Sequence, residues 1–226
     1  MNKYKALLIL TVLLMATQVL SATNPFSGEA TFNLSESSSK DSGNKNAKVA
    51  VKSDALSDRP CTLAVMADLH ARPESLPMLK RAFARVNKLD DIYGVAIVGD
   101  LVSKLGTHAE YDVLAKGLKT LSVPIYAVPG NHDILYKDYL INVEKKRGSP
   151  AEKKAKQQLF KKTLGLKSLY YAKKAGGHLL VFMPNDALSA IPCSMPSDEA
   201  WEFLRKTLKN NRDMPTIIFN HAPLTG

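Results

Sequence analysis

The sequence predicts a layered α/β fold over residues 61–226, with a largely parallel start. Two observations carry this prediction. Apolar runs alternate with segments of helical spacing through the first half of that stretch, the pattern of strand–helix–strand units. Four of the apolar runs also lead straight into side chains able to bind a metal. In open α/β sheets, sites form at the carboxyl ends of the strands.

The elements follow in order. Residues 62–67 read as a buried strand. Leu76, Leu79, Phe83 and Val86 recur by three and four, one face of a helix. Residues 94–98 form a second strand. Thr107 and Glu110 make a capping box, in which the Thr hydroxyl takes a free amide and the Glu reaches back. Tyr111, Leu114, Leu118 and Leu121 continue that helix. Residues 125–128 are a third strand, followed by a charged helical region. Residues 168–173 and 178–183 read as a hairpin around Gly176 and Gly177. Ser197 caps a helix bearing Trp201, Leu204 and Leu208, and residues 216–219 are the last strand.

Ahead of this domain lie two other materials. Residues 1–21 hold Lys3, Lys5 and an apolar run of signal-peptide length, short for a membrane span of ~20 residues. They read as a cleaved export signal, so the expected destination is periplasmic or secreted. Residues 22–60 are rich in Ser, Asn and charge and have little to bury, so they read as a flexible linker. The chain has 226 residues, 45% hydrophobic and 23% charged, which excludes a fibrous, wholly disordered or multi-span membrane protein. Two Cys exclude a Cys-rich zinc module. A disulfide between Cys61 and Cys193 and two buried thiols both stay open. The net charge of +10 favours anionic partners.

The chemistry sits at the four strand ends. Asp68-Leu-His70 follows the first, Gly99-Asp100 the second, Gly130-Asn131-His132-Asp133 the third, and Asn220-His221 the fourth. In an extended segment residues i and i+2 face the same way, so Asp68 and His70 can share an ion. Asp100 offers a carboxylate able to bridge two ions. Asn131 adds a neutral oxygen and His221 an imidazole, a mixed nitrogen and oxygen set that suits Mn, Fe or Zn. His132 is placed to protonate a leaving oxygen, with Asp133 to fix its tautomer. His108, His178 and Trp201 read as structural.

These motifs, in this order from residue 62 to 221, resemble the calcineurin-like metallophosphoesterase superfamily. The resemblance implies a four-layer α/β/β/α sandwich with a two-metal centre between strand ends. It implies hydrolysis of phosphate mono- or diesters by hydroxide held on that pair. Asp68 and His70 would serve the first metal, Asp100 would bridge, Asn131 and His221 would serve the second, and His132 and Asp133 would form the catalytic pair. The family ends its site with Gly-His-x-His, which is absent up to Gly226. The domain is therefore expected to be incomplete at its C-terminus, and a noncatalytic metal- or anion-binding remnant is the alternative. Ser103 stands where the purple acid phosphatase branch carries its coloured Tyr. The absence of an Asp-Arg ending after Gly99 separates the chain from protein Ser/Thr phosphatases.

Residues 145–174 carry eleven Lys and Arg against one Glu. They read as a solvated helical face or as a basic wall near the site. Few aromatics are interleaved for base stacking, which argues against nucleic acid. The expected partner is a small phosphate ester, with membrane contact only through the leader.

Overall fold

The computed structural model describes residues 8–9, 32–34, 61–188 and 195–222. Most of the leader and linker, Cys193 and residues 223–226 lie outside the described residues.

The first sheet orders its strands β2–β3–β4–β5: Phe32–Leu34, Cys61–Met66, Ile92–Val98 and Ile125–Val128. β3, β4 and β5 run parallel, and β2 joins β3 antiparallel. Parallel neighbours need crossovers, and two helices supply them. α1, Leu76–Val86, follows β3, and α2, His108–Leu118, follows β4. The capping box holds α2: Thr107 accepts from the Glu110 amide at 3.3 Å, and Glu110 accepts from the Thr107 amide at 3.1 Å.

After β5 the chain makes one helical turn, α3, Asn131–Ile134. The sequence predicts helix from there, and the structure differs. Tyr136–Ile141 (β6) and Glu144–Arg147 (β7) form a separate two-stranded hairpin. Helix begins only at α4, Pro150–Leu164, where Ser149 and Glu152 form a second capping box. Nor is its charged face wholly solvated. Lys153 and Lys156 are buried, Lys153 donating to the Leu188 carbonyl at 2.7 Å and Lys156 to the Leu105 carbonyl at 2.6 Å and to Asp138. Long apolar stems let such side chains sink while their ammonium groups find oxygens.

The second sheet orders β1–β10–β9–β8: Leu8–Ile9, Thr216–Phe219, His178–Phe182 and Tyr171–Ala175. β8 and β9 are the expected hairpin, antiparallel through Gly176 and Gly177, while β9 and β10 run parallel. α5, Asp198–Asn210, connects them, capped by Ser197.

Three apolar clusters divide the molecule into layers. Phe83, Leu114 and Phe160 pack α1, α2 and α4 on the outer face of the first sheet. Val98, Tyr126, Leu180 and Phe219 pack the sheets together. Met183, Leu204 and Ile218 join α5 to the second sheet. The result is α/β/β/α. Between the sheets Tyr126, Phe182 and Phe219 stack, with Phe182–Phe219 centroids 4.9 Å apart. Tyr171 crosses from the second sheet to edge strand β5. Its hydroxyl accepts from the Ala127 amide at 2.7 Å and donates to the Ala127 carbonyl at 3.0 Å.

Candidate metal centre

Four strand ends meet at one edge of the sandwich. Beyond β3 and β4 the loops stay zipped together: the Asp68 amide donates to the Gly99 carbonyl, His70 to Asp100 and Ala71 to Leu101, at 2.9–3.1 Å. This pairing sets Asp68, His70 and Asp100 side by side. They face one another for a different reason than strand alternation. Asp68, His70 and Asp100 have φ of 52°, 41° and 50°. Left-handed backbone at non-glycine residues is costly and concentrates at functional sites. β3 ends at Met66, so the expected extended geometry stops just short of the two ligands.

Two sets of ligand atoms result, both containing Asp100. His70, Asp100 and His132 form one; Asp68, Asp100 and His221 form the other, with ligand atoms in each set within 4.8 Å of one another. His70 Nε2 lies 3.6 Å from Asp68 Oδ1 and 3.9 Å from Asp100 Oδ2. His221 Nε2 lies 3.5 Å from Asp100 Oδ1 and 3.4 Å from Asn131 Oδ1. Ligands about 2.1 Å from a shared ion in tetrahedral geometry would stand roughly 3.4 Å apart. The separations therefore suit atoms converging on an ion, and the nitrogen and oxygen set suits a borderline or hard divalent metal.

The surroundings fit the same purpose. His221 Nδ1 lies 3.1 Å from the Val98 carbonyl, an acceptor for a proton on that nitrogen, and Nε2 faces Asp100. A carbonyl partner of this kind fixes the tautomer of a metal-binding histidine. The His132 amide donates to Asp100 Oδ1 at 2.9 Å, pinning the shared carboxylate. Gly99 and Gly130 are required by space: a Cβ at Gly99 would strike the His221 ring, and one at Gly130 the Asp100 carboxylate. Asp100 is buried, while Asp68, His70 and His221 keep an accessible side.

His132 differs from its neighbours. Its Nδ1 lies 2.7 Å from the Ser103 carbonyl, and its Nε2 faces Asp100 at 3.8 Å. Lys145, from β7, brings Nζ to 3.2 Å from that same Nε2. An ammonium donor on this lone pair disfavours a metal there, so His132 stands apart from the ligands despite its place in the first set. Burial lowers its pKa, and Lys145 and His70 lower it further, against Asp100. His70 moves the other way, raised chiefly by its contact with Asp68.

Asp133 corrects the sequence reading. It is expected to orient His132 but instead accepts backbone amides: Leu101 at 3.0 Å, Val102 at 3.1 Å and Gly130 at 2.8 Å. It is fully buried, and burial pushes its pKa up to about 7 against the pull of those amides. Its role is to bind the second and third site loops together. The orienting group for His132 is the Ser103 carbonyl. A backbone oxygen leaves no mark on sequence, so that partner could not have been read; Lys145 could have been, as the first base of the basic stretch. A mainly apolar cleft of about 700 Å³ is lined by Arg72, Lys104 and Val113 and also by Ser103, the residue whose carbonyl meets His132.

Residues 61–226 match the calcineurin-like phosphoesterase family, and the chain belongs to it. Among solved structures, the chain is similar to a purple acid phosphatase from yellow lupin (Lupinus luteus) seeds. Identity is 16% over 69% of this chain and 29% of that one, with a TM-score of 0.46. It is also similar to the phosphopantetheinyl hydrolase of Mycobacterium tuberculosis, at 17% identity over 72% of this chain and 68% of that one, TM-score 0.40. The chain thus spans under a third of the lupin enzyme's length. No curated protein matches it.

Proposed function

We propose that this chain is a metal-dependent hydrolase of phosphate mono- or diesters. The observation that carries the reading is the pair of ligand sets sharing Asp100. Asp68, His70 and Asp100 would hold one ion, and Asp100, Asn131 and His221 the other. Such a pair supplies Lewis-acid charge and an acidified water for attack at phosphorus. The protein's own groups do the rest. Ser103 holds His132 with its Nε2 lone pair toward the cluster and the Lys145 ammonium, so a proton given up by Lys145 can pass through Nε2 to the leaving oxygen. Lys145 adds positive charge beside it for the ester's oxyanion. The apolar cleft receives the organic part of the ester. We read residues 1–21 as the leader that exports the protein.

The test is hydrolysis of bis-p-nitrophenyl phosphate with added Mn²⁺, with metal content measured on the same samples. The parent should bind metal and turn over, and Asp100→Asn should lose both, by at least about a hundredfold in rate. A parent that binds metal without turnover would instead support the noncatalytic alternative.

A further inference from the structure

The β6–β7 hairpin is unusual for a solvent-facing ribbon. Among the described residues six large apolar side chains are exposed, and four of them, Tyr139, Leu140, Ile141 and Val143, stand on this hairpin. Tyr139, Leu140 and Ile141 are consecutive. Side chains alternate across a strand, so both faces of the tip are apolar, and no single face is reserved for the protein body.

The turn adds a second observation. Asn142 and Val143 both have positive φ, 51° and 59°. A two-residue hairpin turn of this type favours Asn-Gly. Here the second position holds a β-branched residue, 90% exposed. A strained backbone carrying an apolar side chain into water is doubly unfavourable in the isolated protein.

The charges complete the picture. Lys137, Lys145, Lys146 and Arg147 bracket the tip; the acids Asp138 and Glu144 are already held by Lys156 and Lys146. Lys145 turns inward to His132, and Lys137 and Lys146 pair with Glu152 and Glu144, so the ribbon keeps an excess of four bases over two acids around its apolar end. We propose that this hairpin inserts its tip into an anionic lipid surface. A bilayer fits better than a protein partner. A ribbon tip offers a point of contact, whereas a stable protein interface covers about 800 Å² on each side. A fluid interface admits a small apolar wedge while basic side chains reach the headgroups. Membrane contact then extends beyond the leader to the folded domain.

Geometry ties the tip to the metal cluster. Lys145 touches His132, and Val143 is two residues further along the ribbon. The tip thus lies within roughly 15 Å of the cluster, from the reach of one Lys side chain and two strand residues. Docking would present phosphate esters of that lipid surface to the site. This last step rests on the phosphoesterase reading; the docking itself does not.

The experiment is co-sedimentation of the full chain with phosphatidylcholine vesicles, with and without about 30% phosphatidylserine. The parent is compared with Val143→Gly and Leu140→Ser/Val143→Ser, so any contribution from the leader is common to all three. We expect the parent to favour the anionic vesicles, about five- to tenfold over Val143→Gly. That advantage should shrink as salt rises from about 0.1 to about 0.5 M. Val143→Gly should melt no lower than the parent, since glycine relieves the turn, and should keep Mn²⁺-dependent turnover of the soluble diester. Equal sedimentation of parent and variants, or equal binding to neutral vesicles, would overturn the proposal. So would a tip-dependent dimer in gel filtration without vesicle binding. Loss of turnover in the parent would strike the hydrolase reading and leave the vesicle result standing.

Discussion

Asp100 faces three imidazoles at once: His70, His132 and His221 each place Nε2 within 4 Å of its carboxylate. One charge at the crossing of two ligand sets makes it the least replaceable residue here. Gly130 should be nearly as strict, because alanine there puts a methyl onto the Asp100 carboxylate. Gly130→Ala is expected to fold and to bind Mn²⁺ at least about tenfold more weakly by calorimetry, in the range seen for altered ligand support. Asp133 predicts a different signature. Asn in its place keeps the shape but turns an amide N–H₂ on backbone N–H groups that need acceptors. Asp133→Asn should cost about 1–3 kcal/mol in urea unfolding. At this scale, the residue types of the candidate site were legible and their conformation was not. Asp68, His70, Asp100, Asn131 and His221 are visible as residue types at strand ends, and they do converge. That three of them sit at positive φ, and that Asp133 serves backbone amides, depends on how loops from distant strands zip together. No local pattern encodes that pairing.

Among the elements, β5 illustrates how an edge is protected. It is the last strand of its sheet and is buried along most of its length. Its outer amide and carbonyl at Ala127 are taken up by Tyr171 from the other sheet. An edge left with an unpaired buried N–H would be costly. Tyr171→Phe should therefore lose about 1–3 kcal/mol, a fall of roughly 2–12 °C in melting temperature for a domain this size. Most elements were readable because their periods are clean: α1 by its three-and-four spacing, β4, β5 and β10 by short apolar runs, α2 and α5 by their caps. The β6–β7 hairpin was not. Tyr136–Ile141 lacks polar–apolar alternation, and Asn-Val is not a turn signal. The features that hid the hairpin from the sequence are those that suit its tip to an apolar medium.

On the scale of the whole molecule, the layers follow from which faces are apolar. The first sheet buries both faces, one under α1, α2 and α4 and one against the second sheet. The resemblance implied four layers, and the three clusters account for them physically. A metal held only by the folded form must stabilise it. At about a hundred times its dissociation constant, each ion adds about 2.7 kcal/mol. Mn²⁺ should raise the melting temperature of the parent, and EDTA should reverse the rise, while Asp100→Asn should show neither change. Asp68 and Asp100 follow strands of one sheet, and His221 follows a strand of the other. The centre thus works as a vernier across the seam of the sandwich. A slip of one residue, about 3.4 Å along a strand, equals the whole spacing between ligands. Phe219 stacks in that seam and lies two residues before His221. Repacking it would mistune the chemistry before it loosened the fold, so metal affinity is the finer gauge of how the two sheets are aligned.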